Sequence, residues 1–425
     1  MGIMPLTQHT RQNILAAIEG ASRNQIVEAY AKCCSISELN LNGGAVTPER
    51  TCTSSRVFVA FRTFLDDRVG FAYTSDSTIQ GLRSALKYSR LTSVSSRLQI
   101  PSATRGFTDG GEWSDDSSSL VELCDGIQKC RPSVKYRLKQ IHNDILLIRS
   151  DGVNSSYSEG STTVVRECED NLDVLWGRNI RVNMLNTDVA DYPNKLFERV
   201  PATKDVPMCF FNNAGAAFTA ILTCGLVEGS PLVARSIAKR IPDNYSVVSN
   251  GADPSGPGGG PIDDEGTITS KIVLAENGCL RVGPDCWGAA TDNASVGVRG
   301  CMWRSDLTSF PVSIPVNVAI EDSYDTRVAG SILESVEKCF VCKEIDVGAM
   351  QFSPNSGHFS VPCRGYFVRQ QIPASGVVSG VIQGCIIDVV DNLVHVERED
   401  RYSLYQHGSQ NSNILISGGL TFTPR

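Results

Sequence analysis

The run Pro207-Met-Cys-Phe-Phe-Asn-Asn-Ala-Gly-Ala-Ala-Phe-Thr-Ala-Ile-Leu-Thr-Cys-Gly-Leu-Val-Glu-Gly229 decides how the chain is read. Its apolar opening, Met208 to Phe211, breaks at Asn212 and Asn213, which reads as a buried strand leaving into a loop. Asn213 is placed to cap a helix on which Ala217, Ile221, Cys224 and Val227 recur at helical spacing; that helix ends near Gly229, ahead of Pro231. A second helix, Leu232 to Arg240, stops at Pro242. Beyond it lie Tyr245-Ser-Val-Val, a Gly/Pro loop from Asp253 to Pro261, and a strand ending at Asn277-Gly278, a strong hairpin signal.

Working outward toward the N-terminus, Ile14, Ala17, Ile18 and Ala21 mark an amphipathic helix. Ile26 to Cys33, Ile36 to Leu41, Arg56 to Phe64 and Val69 to Tyr73 read as strands, and Ser77 as the cap of a helix carrying Ile79, Leu82, Ala85 and Leu86 on one face. Thr92 to Ser119 is polar and reads as a linker. Further strand signals follow, with His142-Asn143-Asp144 as a turn between Val134–Ile141 and Ile145–Arg149. The fold class is α+β: an N-terminal α/β unit (1–110), a middle, mainly β region (111–204) and a mainly antiparallel β C-terminal domain (205–425).

Composition bounds the function. The 425 residues, 41% hydrophobic, suffice for substantial cores. A formal charge of −7 without a basic cluster argues against direct nucleic-acid binding, because phosphate contacts need clustered Lys and Arg. No basic segment followed by an apolar one opens the chain, and Gly376 to Val390, its longest apolar run, is too short and too polar to span a bilayer. A cytoplasmic protein with no membrane association is expected. The fifteen scattered cysteines then read as reduced, mostly buried small hydrophobes.

The central stretch also carries a resemblance. An Asp-Pro, a Gly-rich loop, Asp263-Asp264-Glu265-Gly266, two Thr and an Ile-Val-Leu run ending in Glu276-Asn277-Gly278 resemble the TldD/PmbA family of peptidase subunits, also called modulators of DNA gyrase. Gly70-Phe71-Ala72, Lys338-Cys-Phe-Val-Cys, Gly357-His-Phe-Ser, Arg364-Gly-Tyr-Phe-Val and Ile414-Leu-Ile-Ser-Gly-Gly follow in the family's order. In the catalytic TldD branch the central helix carries His-Glu-x-x-x-His, and a Cys near the C-terminus completes a zinc site. Here that helix has no histidine, and no cysteine follows Cys385. The resemblance is therefore to the TldE/PmbA branch. His358 departs from it, standing where Asp is usual, and so does the short, Pro-containing segment from Thr187 to Thr203.

What the resemblance implies is a metal-free subunit, without cofactor of its own, that pairs with a zinc-bearing TldD-like chain to proteolyse unfolded or modified peptides. Two other readings stay open: a stand-alone homodimeric hydrolase with a non-metal nucleophile such as Cys224, and a peptide- or metabolite-binding protein. Candidate cavity or substrate-contacting residues are Asn213, Thr219, Cys224, Glu228, Asp263, Asp264, Glu265 and His407. Each has a plainer reading. Cys224 is a small core residue, the three acids order a loop, and His407 lies at the surface. Cys339-x-x-Cys342 sits in a strand-like run, where residues three apart face opposite ways, so it reads as packing and not as a metal site.

Overall fold

A computed structural model of the chain describes residues 8–19, 25–41, 49–66, 68–95, 118–130, 135–168, 171–178, 180, 202–204, 206–284, 300–304, 308–322, 332–403 and 408–424. The N-terminal part carries helices α1 (Gln8–Glu19), α2 (Ile79–Leu91) and α3 (Leu120–Cys130). Its strands are β1 (Ile26–Leu41), β2 (Glu49–Leu65), β3 (Arg68–Thr74), β4 (Val94–Ser95), β5 (Lys135–Arg149), β6 (Asn154–Cys168) and β7 (Asn171–Gly177). These form one antiparallel sheet in the order β4-β3-β2-β1-β5-β6-β7. Residues on both sides of the polar segment after Thr92 thus share a single sheet.

That sheet has two different faces because strand side chains alternate. Val27, Ala29, Ala31, Val59, Phe61, Leu146 and Ile148 pack under α1 and α2, and Leu138 and Val164 under α3. The opposite face presents Tyr30, Ile145, Leu147 and Tyr157, which pack on Ile262 of the C-terminal part. The expected turn at His142-Asn143-Asp144 does not form; β5 runs straight through it. The polar side chains are satisfied across the ladder instead. Asn143 donates to Glu159 at 2.9 Å, and Ser158 donates to Asp144 at 2.6 Å.

The C-terminal strands are β8 (Thr203–Lys204), β9 (Met208–Phe210), β10 (Tyr245–Asn250), β11 (Lys271–Glu276), β12 (Cys279–Leu280), β13 (Met302–Trp303), β14 (Val312–Ser313) and β15 (Val318–Asp322). They continue as β16 (Lys338–Ile345), β17 (Gln351–Phe352), β18 (His358–Arg369), β19 (Ile372–Pro373), β20 (Val378–Cys385), β21 (Leu393–Ser403), β22 (Ser409–Ile416) and β23 (Leu420–Pro424). Apart from the β13–β14 pair, the described strands join in one large, mainly antiparallel sheet whose middle runs β15-β22-β9-β16-β18-β20-β23. Asn277 and Gly278, both at positive φ, close the expected hairpin between β11 and β12.

Three helices cover this sheet: α4 (Asn213–Val227), α5 (Pro231–Arg240) and α6 (Ile386–Asp391). Every residue of α4 from Ala214 to Leu226 is buried. A helix that is apolar on all sides belongs inside a core, and α4 lies between the sheet and its two neighbouring helices. Small residues permit the contact: a Cβ on Gly215 would stand 1.8 Å from the Ser412 carbonyl oxygen of β22. In β16, Phe340 and Cys342 face this core, while Cys339 and Val341 face the other side, as their spacing predicts. Among the described residues, no helix is long and apolar enough to cross a membrane.

Candidate functional site at the junction of the two sheets

The junction is built on charge. Arg62, on β2, donates from Nε and Nη2 to Glu28 of the neighbouring β1 at 3.1 and 3.0 Å, and from Nη1 to Glu265 of the C-terminal part at 2.7 Å. The Arg62 and Glu28 side chains are only 3% and 1% exposed, so the pair is held out of water. Burial alone would weaken the charge on Arg62, but Glu28 and Glu265 outweigh it and hold the guanidinium firmly protonated. Arg304, just after β13, lies over the rings of Tyr30 and Phe71, with Nη2 4.0 Å from Glu28.

The Asp263-Asp264-Glu265 turn faces these groups, and its acids divide the work. Asp263 Oδ1 accepts the backbone N–H groups of Glu265 (3.0 Å) and Thr267 (2.9 Å), and its Oδ2 accepts that of Met302 at 3.1 Å. Asp264 Oδ2 accepts the Arg304 N–H at 2.7 Å, and the Tyr30 hydroxyl also bonds to this carboxyl. Glu265 closes the bridge to Arg62. Burial pushes the Asp263 carboxyl up to about 7, against its backbone donors; it raises Asp264 against Arg304 and Glu265 against Arg62.

The Gly-rich loop hangs from this turn. Thr269 Oγ1 donates to the Gly260 carbonyl at 2.5 Å, and the Gly260 N–H donates to the Gly251 carbonyl. The fully buried Asn317 clamps the loop from below: its Oδ1 accepts the Gly258 N–H at 2.8 Å, and its Nδ2 donates to the Asn250 and Gly258 carbonyls. A Cβ on Gly256 would meet the Asn317 side chain at 2.2 Å, so glycine is needed there for close approach. At its start, Asp253 accepts the Tyr402 hydroxyl at 2.7 Å. The next residue, Ser403, donates to Asn213 Oδ1 at 2.7 Å. The loop thus connects the N-terminal sheet to the start of α4.

The structure therefore gathers Asp263, Asp264 and Glu265 at the junction and ties Asn213 to the same neighbourhood. It places the other candidates elsewhere. Asn213 is not the cap of α4. Asn212 holds that position at φ 50° with no side-chain cap bond, its N–H donating to Asn413 Oδ1. Thr219 is fully buried, and its hydroxyl donates to the Gly215 carbonyl one turn back. Cys224 is buried in the same helix, and Glu228 is exposed at its C-terminal end. His407 lies outside the described residues. Sequence reading missed Glu28, Tyr30, Arg62 and Arg304. The local sign was a charge at inward positions of two alternating strands.

The donor chemistry around α4 does not make up a zinc ligand set: the helix has no imidazole, and its hydroxyls bond within the helix. Among the described residues, no three His, Cys, Asp or Glu side chains form a group able to hold a metal ion.

A large, mainly antiparallel sheet covered by three helices, one of them buried on all sides, thus carries the glycine-rich loop against which a seven-stranded, helix-covered sheet docks. Residues 206–420, half of the chain, match the PmbA/TldA metallopeptidase C-terminal domain, and the chain belongs to the PmbA/TldD family. No curated protein sequence matches it. Among solved structures it is similar to TldE from Thermococcus kodakarensis, at 17% identity and a TM-score of 0.75, covering 97% of this chain and 99% of that one. It is also similar to a protein described as a modulator of DNA gyrase from Thermotoga maritima (16% identity, TM-score 0.72, 98% and 99% covered). A protein so described from Bacteroides thetaiotaomicron matches at 12% identity and a TM-score of 0.66, covering 99% and 100%. At these identities the likeness is one of fold.

Proposed function

We propose that this chain is the metal-free, TldE-like subunit of a two-component metallopeptidase, acting in the cytoplasm beside a zinc-bearing TldD-like subunit. The observation that carries this reading is α4. A metallopeptidase family needs three protein ligands and an open position for water, and on this helix the side chains are Ala, Phe, Ile, Leu, Thr and Cys packed into the core. The hydrolytic zinc then belongs to the partner, and this chain completes the enclosure that receives a peptide. Co-expression with a TldD-like chain tests it. The expected result is a stable complex whose chelator-sensitive peptidase activity is lost when the partner's zinc ligands are replaced. Chelator-sensitive activity from this chain alone would overturn the assignment.

A further inference from the structure

β22 runs past the end of β9. Its pairing with that strand stops at Ile414 opposite Phe210, and the residues before Ile414 meet the turn and the first helical residues that follow β9 instead. Asn413 Oδ1 accepts the Asn212 N–H at 3.2 Å, and Ser412, on the same face as the core residue Ile414, lies against Gly215 in the first turn of α4. Two polar groups are left over there. Ser412 is 3% exposed, yet no protein group bonds its Oγ, which stands 3.1 Å from the position a Gly215 Cβ would take. In the same turn the Ala214 and Ala216 N–H groups donate to the Phe211 and Asn212 carbonyls, whereas among the described residues the Gly215 N–H meets no backbone carbonyl. Buried polar groups without a partner are rare in native folds, and two of them side by side point to a third group that both can bond.

The charge at this turn is positive. α4 is 15 residues long, and its aligned peptides put partial positive charge at its N-terminus. Asn212, at the cap position, gives no side-chain cap bond and is held at φ 50°, ψ −110°, a conformation that strains a residue other than glycine. Lys343, the extra residue where the β16–β18 register shifts, brings its Nζ to 4.9 Å from the ring of Phe211, one residue before the turn. Glu397 lies beyond Asn413, which donates to its Oε2 at 3.1 Å and so separates that acid from the turn. We propose that the first turn of α4, with the Ser412 hydroxyl and the Gly215 N–H as donors, is a carboxylate site, and that the carboxylate it takes is the C-terminal one of a peptide. A ligand atom that accepts from both donors is an oxygen, and the helix end and Lys343 select one that carries negative charge. Asn212 is exposed and Asn213 partly so, which leaves the turn open to solvent at its outer edge. That the carboxylate belongs to a peptide rests on the subunit reading above.

The test is calorimetric titration of the purified full chain with acetyl-triglycine, as the free acid and as its C-terminal amide, with the Gly215 amide followed by NMR in the same titrations. The free acid should bind and shift the Gly215 signal, and the amide should bind weaker by about tenfold or more, the worth of a charge-assisted hydrogen bond. Ser412→Ala should weaken binding of the acid by about tenfold and leave that of the amide unchanged. Should that variant misfold, Ser412→Cys, which keeps the side chain's place with a weaker donor, serves the same comparison. Equal affinity for acid and amide, binding of neither, or a folded Ser412 variant that holds the acid as the natural chain does would overturn the site. Acetate binding as tightly as the peptide acid would overturn its assignment to a peptide. The measurement needs neither partner nor zinc, so its failure leaves the subunit assignment standing, and chelator-sensitive activity from this chain alone would unseat that assignment without touching the site.

Discussion

Arg62 serves two carboxylates from one guanidinium, and that geometry sets what its removal costs. Arg62→Met would take from Glu28 and Glu265 their nearest cation and leave only the more distant Arg304, a loss of about 3–5 kcal/mol where a buried pair is broken from one side. Urea unfolding should show that loss, and Arg62→Lys should recover only part of it because an ammonium cannot serve both carboxylates in the same fork. Asp263 makes a second residue-scale expectation. Its carboxyl stands at about 7 in the folded chain, above its value in the unfolded one. Its contribution to stability is therefore complete below about pH 4 and lost as pH rises through about 7; a pH series of unfolding midpoints should show that decline, and Asp263→Asn should flatten it. The inward charges on two strands were a local sign, but which residues they meet was not legible in sequence, because Glu28 meets Arg62 and Arg62 meets Glu265 only through strand pairing and sheet docking.

At the scale of elements, α4 shows what periodicity conveys and what it leaves out. The recurrence of Ala217, Ile221, Cys224 and Val227 marked a helix, and a helix stands at Asn213–Val227. Burial on every side, however, comes from α5, α6 and the sheet, which no window of the sequence contains. The turn expected at His142-Asn143-Asp144 failed for a related reason: polar residues break a strand only when the ladder cannot satisfy them, and here β6 does. Local rules held where the cause was local, as in the Asn277-Gly278 turn and the opposite facing of Cys339 and Cys342. Two substitutions separate packing from chemistry on α4. Cys224→Ala removes little volume and should cost no more than about 2 kcal/mol, whereas Ala217→Leu, at a fully buried site, should cost about 1–3 kcal/mol or more by overpacking. Complete loss of the reconstituted complex's activity in a normally folded Cys224→Ala protein would make the thiol a nucleophile instead.

For the molecule as a whole, the proposed reading reconciles a central helix without imidazoles with the family's metallopeptidase character by assigning the zinc to another chain. That reading binds metal content to assembly, and both can be measured on one preparation. Elemental analysis of the purified chain should give clearly substoichiometric zinc, because a tetrahedral site needs nitrogen or sulfur donors that this helix does not bring together. Mixing with a zinc-loaded TldD-like chain should then produce, in light scattering, a species of higher mass containing both subunits, with the zinc travelling with the partner. An obligate association of this kind buries about 2,000 Å² or more of surface, enough to survive dilution to micromolar concentrations. The discriminating outcome is a chain that remains monomeric both alone and with the partner, or that arrives holding one tightly bound zinc of its own. In the first case the enclosure has no second wall; in the second the ligands lie outside α4 and the division of labour between the two chains is wrong.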